Sequence, residues 1–442
     1  MFFILALVSY GVGSVAAVSS LAGVNIAGFD FGVEITGTAN LNNAQGPLKA
    51  LGNSDGLAQM QHFVKNDGLN MFRLPVSWQF LIASETPPTN PTNGTSIKST
   101  TSSTKITIKT GTFRPRAANN TAANSGALDP TNFAQYDTLV QSCLGTGATC
   151  VIDIHNYARF NNKVIGQGGP SDEAFAFLWS QIATKYATTP NLIFGLMNEP
   201  HDIPSLPTWT TTVQKAVSAI RLAGAITQTI LLPGTDFTGA QTFISNGSAR
   251  NLSTVHNPDG SNTSLAFDVH KYLDVDGSGT HTECVGDHVK DTFEPLARFL
   301  REEGRMALLS ETGGGNDTSC LAAFCTTIAF INANPDVYLG YAGWAAGGFS
   351  PDTYNLTMTP QGSNGSFVDQ QIVSQCLVGQ RNGGEGGNRT NGTSRIQSPG
   401  IGSPPVTATT KEFTGGAGRV RDGRVLGLLG WASGMALGLS VL

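Results

Sequence analysis

Eight short apolar runs, separated by amphipathic segments, constrain this chain more than any other feature. They are Val24–Phe31, Met71–Val76, Cys150–Asn156, Leu192–Asn198, Ile230–Pro233, Ala266–Tyr272, Ala307–Glu311 and Tyr338–Ala345. A run that stays apolar instead of alternating suits a strand buried on both faces, as in a parallel sheet. Between the runs, Phe175, Trp179, Ile182 and Tyr186 recur at helical spacing, as do Trp209, Val213, Val217 and Ile220. Phe293, Leu296 and Leu300 mark a third helix, which Gly304 should stop. Strand–helix alternation repeated eight times predicts an α/β fold, a (β/α)8 TIM barrel. A doubly wound open sheet also alternates, but it usually carries a glycine-rich nucleotide turn after an early strand, and none stands there.

The ends of the chain and its composition predict a secreted protein. Residues 1–17 are nearly all apolar and close on Val15-Ala16-Ala17, the pattern of a cleaved signal peptide. The catalytic domain is expected over 18–380, with a Thr/Ser/Asn/Pro-rich surface insertion at 84–129. A Gly/Asn/Ser/Thr-rich linker is expected over 381–418 and an anchor signal over 419–442. Val425–Leu442 is an apolar stretch with nothing after it, preceded by a polar spacer holding Arg419, Arg421 and Arg424. Small residues, spacer and apolar tail are the pattern of a GPI-anchor attachment signal. Ten Asn-x-Ser/Thr sequons and a charged fraction of 13%, about half the usual ~25%, fit a secretory glycoprotein. Six cysteines in such a chain should be oxidised, and spacing alone leaves their pairing open. The net charge of −5 carries no basic stripe, so no nucleic-acid partner is expected. Contact with a membrane is expected only through the lipid anchor, and the default state is a monomer.

In a barrel of this kind, reactive side chains project from the C-terminal ends of the strands. Those ends supply Arg73, His155, Asn156, Asn198, Glu199, His270, Tyr272, Glu311 and Trp344. Each alone has an ordinary structural reading, but polar groups recurring where buried strands end would cost energy if they faced a core. Glu199 and Glu311 close the fourth and seventh strands and should face each other across the mouth. Such a pair can cleave a glycosidic bond, one carboxyl donating a proton to the leaving oxygen while the other attacks the anomeric carbon. Pro200 fixes the backbone after Glu199, and Arg73 and Tyr272 can keep Glu311 ionised. This assigns Glu199 as acid/base and Glu311 as nucleophile.

The stretches Gly23–Gly32, Phe72–Val76, Asp153–Arg159, Gly166–Pro170, Phe194–Asp202, His270–Tyr272 and Ser310–Asn316 together resemble glycoside hydrolase family 5, in particular its fungal endo-β-1,4-glucanases. The likeness runs from about Gly23 to Cys376. It implies a retaining mechanism without metal or other cofactor, with Asn198-Glu199-Pro200 carrying the acid/base and Ser310-Glu311-Thr312 the nucleophile. It also implies that Arg73, His155, Asn198, His270, Tyr272 and Trp344 complete the site, with Trp344 as a sugar platform. Asp236 and Phe237 fall where relatives tend to carry Asp and Trp. The likeness further implies the pairs Cys143–Cys150, Cys284–Cys320 and Cys325–Cys376. A cysteine pair that relatives often carry after the first strand is replaced here by Val33 and Ala39. The resulting expectation is endo-hydrolysis of cellulose or a related β-glucan at the cell surface. The same machinery acting on mannan or a β-1,3-linked wall glucan is the alternative. A non-catalytic carbohydrate-binding protein ranks lower, because both carboxylates are present.

Overall fold

The computed structural model describes residues 21–52, 54–88, 126–363 and 366–380. The segments expected to be a signal peptide, a linker and an anchor signal, and most of the expected 84–129 insertion, lie outside the described residues.

Each barrel strand is buried on both sides, and its period of two sorts side chains between two cores. In β3 (Thr149–Ile154), Cys150, Ile152 and Ile154 point outward to the helices, while Val151 points into the barrel. In β2 (Met71–Val76), Phe72, Leu74 and Val76 point outward and Met71 points in. The same alternation holds in β1 (Leu21–Ala27), β6 (Leu192–Gly195), β7 (Thr229–Pro233), β8 (Leu265–His270) and the first three residues of β9 (Ala307–Thr312), whereas β10 (Tyr338–Gly347) shifts register at Gly340, with Tyr338 and Tyr341 both outward. These eight strands close in the order β1-β10-β9-β8-β7-β6-β3-β2, every neighbouring pair parallel. The expected (β/α)8 barrel is therefore the observed one. A ring of Met71, Val151, Ile193, Leu231, Ala266, Leu308 and Ala342 plugs its lower interior. Two small hairpins, β4–β5 (Arg159–Phe160 with Lys163–Val164) and β11–β12 (Gln361–Ser363 with Ser366–Val368), lie outside the barrel.

The helices form where the apolar spacing places them. Phe175, Trp179, Ile182 and Tyr186 are the buried stripe of Asp172–Tyr186, whose N-terminus is capped by Ser171 accepting from Ala174 N–H. Trp209, Val213, Val217 and Ile220 play the same part in Leu206–Leu222, capped by Ser205. Glu294–Glu303 ends at Gly304, which adopts φ 60°, a left-handed conformation that glycine takes without steric cost. All six cysteines are paired, as Cys143–Cys150, Cys284–Cys320 and Cys325–Cys376. The first ties the end of the helix Pro130–Leu144 to the outward face of β3. Val33 and Ala39 face each other through an antiparallel β-bridge, so backbone pairing stands where the cysteine staple is missing.

Candidate active site

Above the apolar plug, the inward positions turn polar. Two residues beyond Met71 comes Arg73, two beyond Val151 comes Asp153, and two beyond Ala266 comes Asp268. Arg73 is fully buried, a costly place for a charge unless it is matched. It is matched on several sides. Its Nη1 donates to Asn25 Oδ1 and Glu311 Oε2, each at 2.9 Å. Its Nη2 donates to Asn198 Oδ1 at 2.6 Å and lies 3.1 Å from Asp153 Oδ2. Burial alone would lower the Arg73 pKa, but the charges of Asp153 and Glu311 outweigh it and hold the guanidinium charged. Burial likewise opposes ionisation of Asp153, yet Arg73 and His155 bring its pKa below the ordinary carboxylate value.

Glu311 reaches the mouth through a backbone irregularity. Opposite Val269–His270 in β8, the register in β9 advances from Leu309 to Glu311, and opposite β10 it advances from Leu309 to Thr312 for Tyr341 to Gly343. The extra residue is a β-bulge, which re-aims the side chains after it. Ser310 and Glu311 can then both face the interior although they are consecutive. Tyr272 O–H donates to Glu311 Oε1 at 2.8 Å, so each carboxylate oxygen of Glu311 accepts a hydrogen bond.

Glu199 follows β6 with φ 41°, and that left-handed turn carries it over the barrel mouth. His270 Nδ1 lies 2.8 Å from Glu199 Oε1 and 3.8 Å from Glu311 Oε2. The Glu199, His270 and Glu311 ligating atoms all lie within 4.8 Å of one another. Burial raises the Glu199 pKa to about 7, with His155 and Arg73 only partly opposing it. Burial lowers that of His270, which favours the neutral imidazole. Behind it, Ser310 O–H donates to Asp268 Oδ1, and Ser310 Oγ lies 3.0 Å from His270 Nε2.

His155 Nδ1 pairs with Asp153 Oδ2 at 2.9 Å; burial opposes protonation of the ring, but that bond and charge raise its pKa. Its ring stacks on Trp344, with centroids 5.2 Å apart and an interplanar angle of 17°. Asn198 Nδ2 is buried without a hydrogen-bond partner, a donor left unspent at the level of the two carboxylates.

Three residues read from the sequence sit apart from this cluster. Asn156 is buried, with its Oδ1 accepting from Trp78 N–H at 2.7 Å and its Nδ2 donating to Gln79 Oε1 at 2.7 Å. Its amide is spent on holding the loop after β3, not turned to the mouth. Asp236 and Phe237 are exposed on a loop of three consecutive left-handed residues, Asp236 to Thr238. Phe237 stacks on His201 at 4.6 Å and 8°, and its N–H donates to Pro200 O, tying this loop to the Glu199 turn. Four buried members of the network escape the sequence reading as site residues: Asn25, Asp153, Asp268 and Ser310. For two of them a signal was available, since Asp153 and Asp268 stand two residues before His155 and His270 on the same strand face.

The model of the family described as Cellulase (glycosyl hydrolase family 5) matches residues 24–347. Endoglucanase EG-II of Hypocrea jecorina is 49% identical over 361 residues, 81% of this chain and 77% of that protein. The manganese-dependent endoglucanase Eg5A of Phanerodontia chrysosporium is 39% identical over 359 residues, 80% of this chain and 78% of that protein. The crystal structure of Cel5A (EG2) from Hypocrea jecorina superposes with a TM-score of 0.71 at 48% identity, covering 81% of this chain and 98% of that one.

Proposed function

The chain belongs to glycosyl hydrolase family 5, and from that premise we propose that it is a retaining endo-β-1,4-glucanase acting on cellulose or a related β-glucan. The observation that carries the reading is the pair of carboxyls with opposed surroundings. Glu199 is pushed by burial to hold its proton to about pH 7. Glu311 accepts from the Arg73 guanidinium on one carboxylate oxygen and from the Tyr272 hydroxyl on the other. One oxygen of each lies within 4.8 Å of the other, which supports the short separation of about 5–5.5 Å that retention requires over the longer one of an inverting enzyme.

In this account Glu311 attacks the anomeric carbon while Glu199 gives its proton to the departing glycosidic oxygen. A glycosyl ester forms on Glu311. Water then enters, Glu199 takes its proton, and attack at the same carbon releases the sugar with its configuration retained. Asn198 Nδ2 is the donor available to the sugar 2-hydroxyl. The face of Trp344 supports the pyranose, held in place by stacking on His155. Phe237 offers a further apolar face at the edge of the mouth.

We also infer that the enzyme is exported and held at a cell surface. The apolar ends of the sequence, its ten sequons and the three disulfides support this.

Viscometry of carboxymethyl-cellulose with protein spanning Val18 to Arg381 tests the activity. A steep loss of viscosity with few new reducing ends is expected. Activity on mannan or β-1,3-glucan but not on carboxymethyl-cellulose would reassign the substrate, and hydrolysis of none of them would reject the enzyme reading.

A further inference from the structure

We propose that His62, Asp67 and Asp369 form a binding site for one divalent transition-metal ion, remote from the carboxylate pair, that clips helix α1 (Gly56–Lys65) to the segment following the β11–β12 hairpin. His62 Nε2 lies 2.9 Å from Asp369 Oδ1 and 3.5 Å from Asp67 Oδ2. All three ligating atoms fall within 4.8 Å of one another. Donors that bind one ion at ~2.0–2.2 Å stand roughly 3.0–3.5 Å apart, so little movement is needed to close on a cation. One imidazole nitrogen and two carboxylates suit Zn2+ or Mn2+, with water completing the coordination.

A second observation points to a ligand. The Asp67 side chain is only 9% exposed, and its Oδ2, facing His62 Nε2, is buried without a hydrogen-bond partner. An orphaned buried carboxylate oxygen is expensive. Among the described residues no Lys or Arg pairs with either aspartate; His62 is the sole cationic candidate for both.

The position suggests a structural role. Asp67 precedes the start of β2 at Met71, so the cluster lies toward the N-terminal side of the barrel, opposite the catalytic mouth. The His62 ring packs 5.4 Å from Phe367 of the hairpin. A few residues beyond Asp369, Cys376 is bonded to Cys325, so the ion and the disulfide would fix this carboxyl-terminal segment at two points. His62 and Asp369 are 307 residues apart, so the ion would also close a very long loop.

The test is calorimetric titration of the full chain, stripped with EDTA, by ZnCl2 and by MnCl2. One equivalent of at least one metal is expected to bind, with a rise of several degrees in Tm. Asp67→Asn and Asp369→Asn should each weaken binding roughly tenfold or more, because a direct ligand matters at least as much as its supporting partners. Asp276→Asn, in the separate Asp274–Asp276–His281 cluster, should leave it unchanged. Absence of binding for both metals up to about 1 mM, or binding that survives both aspartate substitutions, overturns the proposal. If an aspartate variant does not fold, anomalous scattering from manganese-soaked wild-type crystals decides. A peak between His62 and the two aspartates supports the site, and a peak only elsewhere, or none, rejects it.

Discussion

His270 Nδ1 lies 2.8 Å from Glu199 Oε1, and two bonds deeper in the barrel fix the direction of that contact. Ser310 gives its proton to Asp268, which leaves its oxygen to accept from His270 Nε2–H. A neutral imidazole protonated at Nε2 has a lone pair at Nδ1. It can therefore accept from the carboxyl proton of Glu199. The buried chain Asp268–Ser310–His270 thus favours the protonated form of Glu199, the form that the proposed first step needs.

The alkaline limb of the pH profile should report that proton. With the Glu199 pKa raised to about 7, kcat/KM on a soluble cellulose derivative is expected to fall about tenfold per pH unit well above 7. An ordinary carboxyl near pH 4.5 would place that fall more than two units lower.

Stability should carry the same signature with the opposite consequence. The folded pKa lies above the unfolded value of 4.5, so the folded state holds the proton more tightly. The cost of ionising Glu199 therefore begins as pH rises past 4.5 and is complete above 7, on the order of 3 kcal/mol. Glu199→Gln removes that cost. Its Tm should match wild type near pH 4 and exceed it by about 4 °C at pH 8, while hydrolysis is lost and oligosaccharide binding is kept. Equal Tm values at both pH extremes would contradict a buried, destabilised carboxylate.

Ser310→Ala tests the relay. Without the serine oxygen, His270 Nε2–H has lost its acceptor, and the ring can shift its proton to Nδ1 and donate to an ionised Glu199. The alkaline limb should then move to lower pH, and kcat should drop roughly tenfold with KM little changed. A drop in kcat with an unmoved limb would reduce Ser310 to a packing role.

The fold was legible because the apolar runs of a parallel barrel are continuous. Met71–Val76 coincides with its strand, and the others differ by a few residues at their ends. Arg73, His155, Asn198, Glu199, His270 and Glu311 were legible as polar residues at those ends. Asn156 shows the limit of that rule: one residue beyond His155 the side chain faces the other way and serves Trp78 and Gln79. Ser310 was illegible for a different reason. Strict alternation lets only one of Ser310 and Glu311 face the mouth, and only the bulge in β9, visible in the pairing register, admits both. The buried partners of Arg73 are long-range, with Asn25 and Glu311 lying 48 and 238 residues away, and no local pattern reveals them.

The division of labour between the two carboxyls is tested most directly by covalent trapping. A 2-deoxy-2-fluoro cellobioside with an activated leaving group should be turned into a stable glycosyl ester, because the fluorine slows its hydrolysis more than its formation. Peptide mass spectrometry should find that ester on Glu311. Label on Glu199, or turnover that leaves no covalent adduct on the protein, would contradict the account.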